Sequence, residues 1–225
     1  MRQSEIQDSC ARAHVDKKEE CWKYNVEVPL NLNKACNELG AQIIHITSGC
    51  IYTGYEKEWE EDDTPNFGIY SNESSFYSKS KHAFETLSDT GLHLRIRMPF
   101  CDTLHERSVL TKIYNYDNIV DTVNSKTYIP ELCNFIEHYI KEGYTGYETI
   151  HFVNKDPLST LEIVDEMKKA GIENTNWQWK EMDQLGMKAN RSNCILDTTR
   201  LEQQYNWSVS SEKTALKSAL DKMTT

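Results

Sequence analysis

The feature that most constrains the fold of this chain is the alternation of short apolar strands with amphipathic helices across its first hundred residues. Gln42-Ile43-Ile44-His45-Ile46 is a short apolar run that reads as a buried strand. Leu92-His93-Leu94-Arg95-Ile96-Arg97-Met98 alternates with period two and stops at Pro99. Ahead of the first strand, Leu32, Ala35, Cys36 and Leu39 form a helical stripe that Gly40 closes. Pro29 kinks that segment or marks its restart. Between the strands come an acidic loop from Glu56 to Asp63 and a helix over Tyr77 to Leu87. Strand–helix units with short connections imply a parallel sheet with helices packed on it.

Beyond about residue 100 the pattern is less regular. Val109 to Tyr116 reads as helix, Asn118 to Val123 as extended chain, and Thr149 to Val153 as strand. Glu131 to Gly143 is an amphipathic helix with Leu132, Phe135, Ile136 and Ile140 on one face. Ser159-Thr160-Leu161-Glu162 is a capping box opening a helix that runs to Gly171. A last helix, Ser211 to Met223, carries Ala215, Leu216, Ala219 and Leu220. The expected division is residues 1–100 as part of a Rossmann-like sheet domain and 101–225 as a smaller α/β lobe that also returns elements to the sheet.

Composition narrows the function classes. The 225 residues carry a net charge of -10, which argues against nonspecific contact with nucleic acid or an anionic membrane. No run approaches the roughly 18 apolar residues of a membrane helix. Met1-Arg2-Gln3-Ser4-Glu5 has no apolar stretch behind it, so no signal peptide is expected. The 7 cysteines include no CxxC pair, and Cys36, Cys101 and Cys133 read as small core residues. This usage fits a reducing compartment, and a soluble cytoplasmic protein is expected. No metal site is assigned.

Two segments carry chemistry. Thr47-Ser48-Gly49-Cys50 follows the first strand, where parallel sheets place their ligands. Tyr77 and Lys81 are one helical turn apart and share a face. A phenol with its ordinary pKa near 10 is a poor proton partner at neutral pH, and a nearby cation favours its ionised form. Ser48, Tyr77 and Lys81 together suit proton delivery to a carbonyl that receives hydride. Taken singly, each has an ordinary alternative: a Ser-Gly turn that ends a strand, and a surface Tyr–Lys pair. Cys50 discriminates, because a thiol can act as acid and base beside a ketone, whereas a simple reductase has no use for one. Lys112 is the candidate second group, with a surface lysine as its ordinary alternative.

These segments resemble the extended short-chain dehydrogenase/reductase superfamily. With Glu60 to Phe67, Arg95-Ile96-Arg97-Met98-Pro99, Leu110 to Ile113 and Asn124 to Thr127, they are similar to its bifunctional nucleotide-rhamnose synthases, 3,5-epimerase/4-reductases of nucleotide-4-keto-6-deoxyglucose. The resemblance implies Ser48, Tyr77 and Lys81 as the reductase set and Cys50 with Lys112 as the epimerising pair. It implies NADPH (or NADH) held by Tyr77, Lys81, Met98 and Pro99. A nucleotide-sugar substrate would be held by Ser48, Asn124, Arg191 and Asn193, and a homodimer is allowed. Ser48 stands where the plant rhamnose enzymes have threonine. Family members open with a glycine-rich strand–turn–helix for the cofactor pyrophosphate, and the 9 glycines here form no such fingerprint. The sheet is therefore expected to be N-terminally incomplete, lacking two or three βα units. Two alternatives stay open: a reductase without epimerase activity, and a noncatalytic nucleotide-binding subunit.

Overall fold

The computed structural model describes residues 17–181, 184 and 190–224. The chain begins with α1 (Lys18–Trp22), a π-helical turn (Lys23–Glu27) and α2 (Val28–Leu39). Pro29 lies in the first turn of α2, where a missing amide donor costs least, so it restarts the helix. Gly40 ends α2 in the left-handed region, at φ 64°. β1 (Ile44–Ser48), β2 (Gly54–Trp59), α3 (Phe76–Leu87) and β3 (Leu92–Ile96) follow. The acidic loop expected from Glu56 is thus a strand as far as Trp59. The second half holds β4 (Pro99–Phe100), α4 (Val109–Asn115), β5 (Asn118–Ile119), β6 (Thr127–Tyr128), α5 (Ile129–Lys141) and β7 (Glu148–His151). It closes with α6 (Thr160–Lys169), β8 (Gln178–Trp179), β9 (Cys194–Leu196), α7 (Thr199–Tyr205) and α8 (Glu212–Met223). Both halves of the Ser159–Glu162 capping box are formed.

The central sheet is parallel, in the order β1-β3-β7, with Ile44 opposite Leu92 and Leu92 opposite Glu148. Three further parallel pairs, β2-β9, β4-β6 and β5-β8, tie the second half of the chain to the first and to itself. β3 is buried on both faces, as a central parallel strand must be. Leu92 and Leu94 pack with Leu132, Phe135, Tyr139 and Ile150, so α5 returns to the sheet. A second core joins Phe100, Leu110 and Ile113 to Ile163, Met167, Leu216 and Leu220.

Four expectations are corrected. The α2 stripe does not face the core: Leu32 and Leu39 are exposed, and Asn33 is the buried residue of that helix. Ile46 of β1 is exposed as well, since nothing among the described residues covers its face of the strand. On α5 the inward stripe is Leu132, Phe135 and Tyr139, while Ile140 is exposed. Among the described residues the buried cysteines are Cys21 and Cys194, whereas Cys36 and Cys101 are half-buried and Cys133 is exposed. Apolar spacing marked these helices correctly, but the neighbour each face meets is set by the sheet.

Candidate active site

The site starts where β1 ends. Gly49 N–H donates to the Ile96 carbonyl (3.1 Å), extending the ladder by one residue, and Tyr52 N–H donates back to the Gly49 carbonyl (3.2 Å). Within that turn the Cys50 amide donates to Ser48 Oγ at 3.2 Å. A hydroxyl that already accepts a backbone N–H keeps its own proton for another acceptor. Ser48 is buried and Cys50 half-buried. Gly49 is required by close approach: a Cβ there would lie 2.5 Å from Leu196 Cδ1 and 3.1 Å from Arg97 Cγ.

α3 packs against β1 and presents the second segment. Ser75 caps it by accepting the Ser78 amide (3.1 Å), which fixes the helical phase of Tyr77 and Lys81. Lys81 Nζ lies 5.9 Å from the centroid of the Tyr77 ring. Burial lowers the pKa of Lys81, and the nearby Glu85, Cys21 and Cys50 oppose that shift. Cys50 and Lys81 are therefore within electrostatic reach of one another. Asn25 donates to Ser80 Oγ (3.0 Å) and to Cys21 Sγ (3.2 Å), bracing α3 against the N-terminal helices.

Two buried arginines frame this site, Arg95 in β3 and Arg97 just past its end. Arg95 Nε donates to Glu85 Oε2 (2.8 Å), with Nη2 at 2.7 Å from the same oxygen. Its Nη1 donates to Tyr52 Oη (2.9 Å), the Glu61 carbonyl (3.1 Å) and His151 Nε2 (3.2 Å). The Asp197 carbonyl faces His151 Nδ1 at 3.2 Å, which places the ring proton there. Burial, reinforced by Arg95, keeps that imidazole neutral well below its ordinary range. Glu61 is also buried, and burial raises its pKa. Arg97 is tied by contrast to Gly49, Ser192 and Asn124.

Asn124 is buried, and one of its two Nδ2 hydrogens has no partner among the described residues. Its Oδ1 accepts from Arg97 (2.6 Å) and from the Cys194 amide (3.1 Å), and its Nδ2 donates to Asn193 Oδ1 (3.0 Å). Lys126 holds this segment from behind, donating to the Asn124 and Leu158 carbonyls and pairing with Glu212 at 2.9 Å. Asn193 is half-buried and Arg191 is exposed on the loop before β9. Met98 is half-buried with a φ of 35°, uncommon for a residue with a Cβ, and Pro99 follows it into β4. Lys112, half-buried on α4, forms no hydrogen bond with Cys50. The sequence reading passed over Arg97, Ser192, Glu85 and Glu61. A signal for the arginines was available: charges at alternate positions of a strand buried on both faces must find partners there.

A parallel sheet with the hydroxyl at one strand end and the Tyr–Lys turn on the adjoining helix defines an extended short-chain reductase architecture. The family can be stated more narrowly. The sequence model of the RmlD substrate binding domain matches residues 8–225, and the chain belongs to this family. It is 34% identical over 203 residues to the bifunctional dTDP-4-dehydrorhamnose 3,5-epimerase/dTDP-4-dehydrorhamnose reductase of Arabidopsis thaliana. That match covers 84% of this chain and 64% of the plant protein. The crystal structure of the UDP-rhamnose synthase from Acanthamoeba polyphaga mimivirus superimposes with a TM-score of 0.78 at 29% identity, covering 88% of this chain and 71% of that one. At 17% identity the fold is shared with dTDP-4-dehydrorhamnose reductase from Bacillus anthracis, solved with NADP, at a TM-score of 0.69 over 88% of this chain and 70% of that one. The chain spans 64–65% of the length of the first curated relatives it matches. No helix among the described residues is long and apolar enough to cross a membrane.

Proposed function

We propose that this site makes a nucleotide-L-rhamnose from a UDP- or dTDP-linked 4-keto-6-deoxyglucose, by epimerisation at C3 and C5 followed by reduction at C4. The observation that carries the reading is the Lys81 ammonium beside the Tyr77 ring, with Cys50 in electrostatic reach on the facing strand end. The Ser48 hydroxyl, already accepting the Cys50 amide, would donate to the C4 carbonyl oxygen and orient it. Tyr77 would hand its proton to that oxygen as the C–H bond forms, and Lys81 would favour the phenolate left behind. Cys50 would take the acidic proton next to the ketone, and Lys112 would return one to the opposite ring face. Asn124, ahead of β6, and Arg191 and Asn193, ahead of β9, complete the proposed substrate contacts, on two loops that Arg97 joins to the strand end.

A reduced nicotinamide, NADPH or NADH, supplies hydride when bound. The donor set fits its ribose: among the described residues, Lys81 Nζ has no hydrogen-bond or ion-pair partner and is free to donate to hydroxyls. Met98 and Pro99 lie on the backbone just past β3 and would line the same cofactor. A homodimer is compatible with this reading, and light scattering of the purified chain tests it. The epimerase half is tested by Cys50→Ser. The expected result is loss of solvent deuterium entry at C3 and C5 while an already epimerised 4-keto sugar is still reduced. Undiminished exchange in Cys50→Ser would leave only the reductase.

A further inference from the structure

Arg97 is 2% exposed, yet no carboxylate touches it among the described residues. Its Nη1 donates to the Gly49 carbonyl (3.1 Å) and Ser192 Oγ (2.7 Å), and its Nη2 to Asn124 Oδ1 (2.6 Å) and the Ser192 carbonyl (2.9 Å). All of these acceptors are neutral. The adjacent Cys194 thiol is pushed up by burial and supplies no compensating anion at neutral pH. A buried cation held this way keeps its whole charge, an arrangement that is costly for stability alone.

The carbonyl that Arg97 grips belongs to the Gly49–Cys50 peptide, and the N–H of that same peptide donates to Ser48 Oγ. One amide thus stands in series between a buried cation and the candidate catalytic hydroxyl. A cation on the carbonyl oxygen draws electron density from the amide nitrogen and makes its N–H a stronger donor. A hydroxyl that accepts a stronger hydrogen bond releases its own proton to the next acceptor more readily. The geometry points to Arg97 as a positioning residue that acts through the Gly49–Cys50 peptide to orient and polarise the Ser48 hydroxyl toward the oxygen of a bound carbonyl. This rests on the carbonyl-reduction reading above.

The test uses the full chain and two readouts. In residue-resolved hydrogen exchange, Arg97→Met is expected to speed exchange of the Cys50 amide about tenfold, with the Ile46 and Leu94 amides unchanged. In turnover of the 4-keto sugar, Arg97→Met is expected to lower kcat roughly 10–100-fold, beyond the rise in KM from releasing the Asn124 and Ser192 loops. In a Ser48→Ala background the same change should cost less than about threefold, because the hydroxyl it acts on is gone. If Arg97→Met does not fold, Arg97→Gln, which keeps donors but removes the charge, is read by both measures. An unmoved Cys50 amide overturns the inference, as does an effect of full size in the Ser48→Ala background. A responsive Cys50 amide in a protein that never turns over the sugar supports the coupling and overturns the proposed function instead.

Discussion

Arg95 in β3 and Arg97 just past its end lie two residues apart, both buried, and their partners differ in kind. Arg95 closes a knot with the Glu85 carboxylate, the Tyr52 phenol and neutral His151. Arg97 bridges three loop segments and meets only neutral oxygens. The Arg95 knot fastens α3, the helix of Tyr77 and Lys81, to the central strand. The Arg97 bridge instead joins the Ser48–Cys50 turn to Asn124 and the residues before β9. A matched charge builds the frame, and an unmatched one grips the peptide that carries the Ser48 hydrogen bond. That is how structural and functional roles divide between two identical side chains.

The comparison breaks most visibly if the carboxylate is removed. Glu85→Gln leaves Arg95 buried without its counter-ion, and a loss of about 3–5 kcal/mol in urea unfolding is expected. A loss below about 1 kcal/mol would mean that the knot is not holding α3. Gly49→Ala attacks the bridge, since the added Cβ meets Leu196 and the Arg97 stem. We expect about 1–3 kcal/mol of destabilisation by the same measurement, as for overpacking generally. The opposite result, a neutral Gly49→Ala, would show that the bridge can slide.

The smallest effect is a pH dependence that belongs to the knot side of the molecule. Burial lowers the pKa of His93 and His151, and it lowers His45 to about 4, with His93 and Lys81 adding to the shift. Each folded-state value lies below the unfolded value near 6.5. On acidification the unfolded chain takes up these protons first. The stability from neutral imidazoles is thus complete above pH 6.5 and is lost as pH falls through the folded values, toward 4 for His45. The melting temperature should fall by a few degrees between pH 7 and pH 5. His45→Gln should reduce that slope. A flat profile would mean that these rings are not held neutral.

How much of this was legible in the sequence follows from what periodicity can encode. The strands at Ile44 and Leu92, the helix after Ser75 and the Ser159 capping box all rest on local patterns, and each is where the spacing put it. Tyr77 and Lys81 were legible because both members of the pair lie on one helical turn. The exposed faces of Leu32, Leu39 and Ile140 were not legible, since an amphipathic stripe does not say which neighbour will cover it. Arg97 was legible as a strand charge in need of partners, but which partners was not, for a deeper reason. Its partners Gly49, Asn124 and Ser192 are distant in sequence, and three of its four bonds go to groups common in loops: two backbone carbonyls and a serine hydroxyl.

Single-turnover hydride transfer to the 4-keto sugar, compared between the unmodified protein and Tyr77→Phe, tests the central claim most directly. That claim is that the β1 strand end and the Tyr77–Lys81 turn form one proton-delivering site. Tyr77→Phe should slow the transfer about 10²–10⁴-fold while leaving the melting temperature unchanged. Hydride transfer at the full rate in Tyr77→Phe would contradict the account.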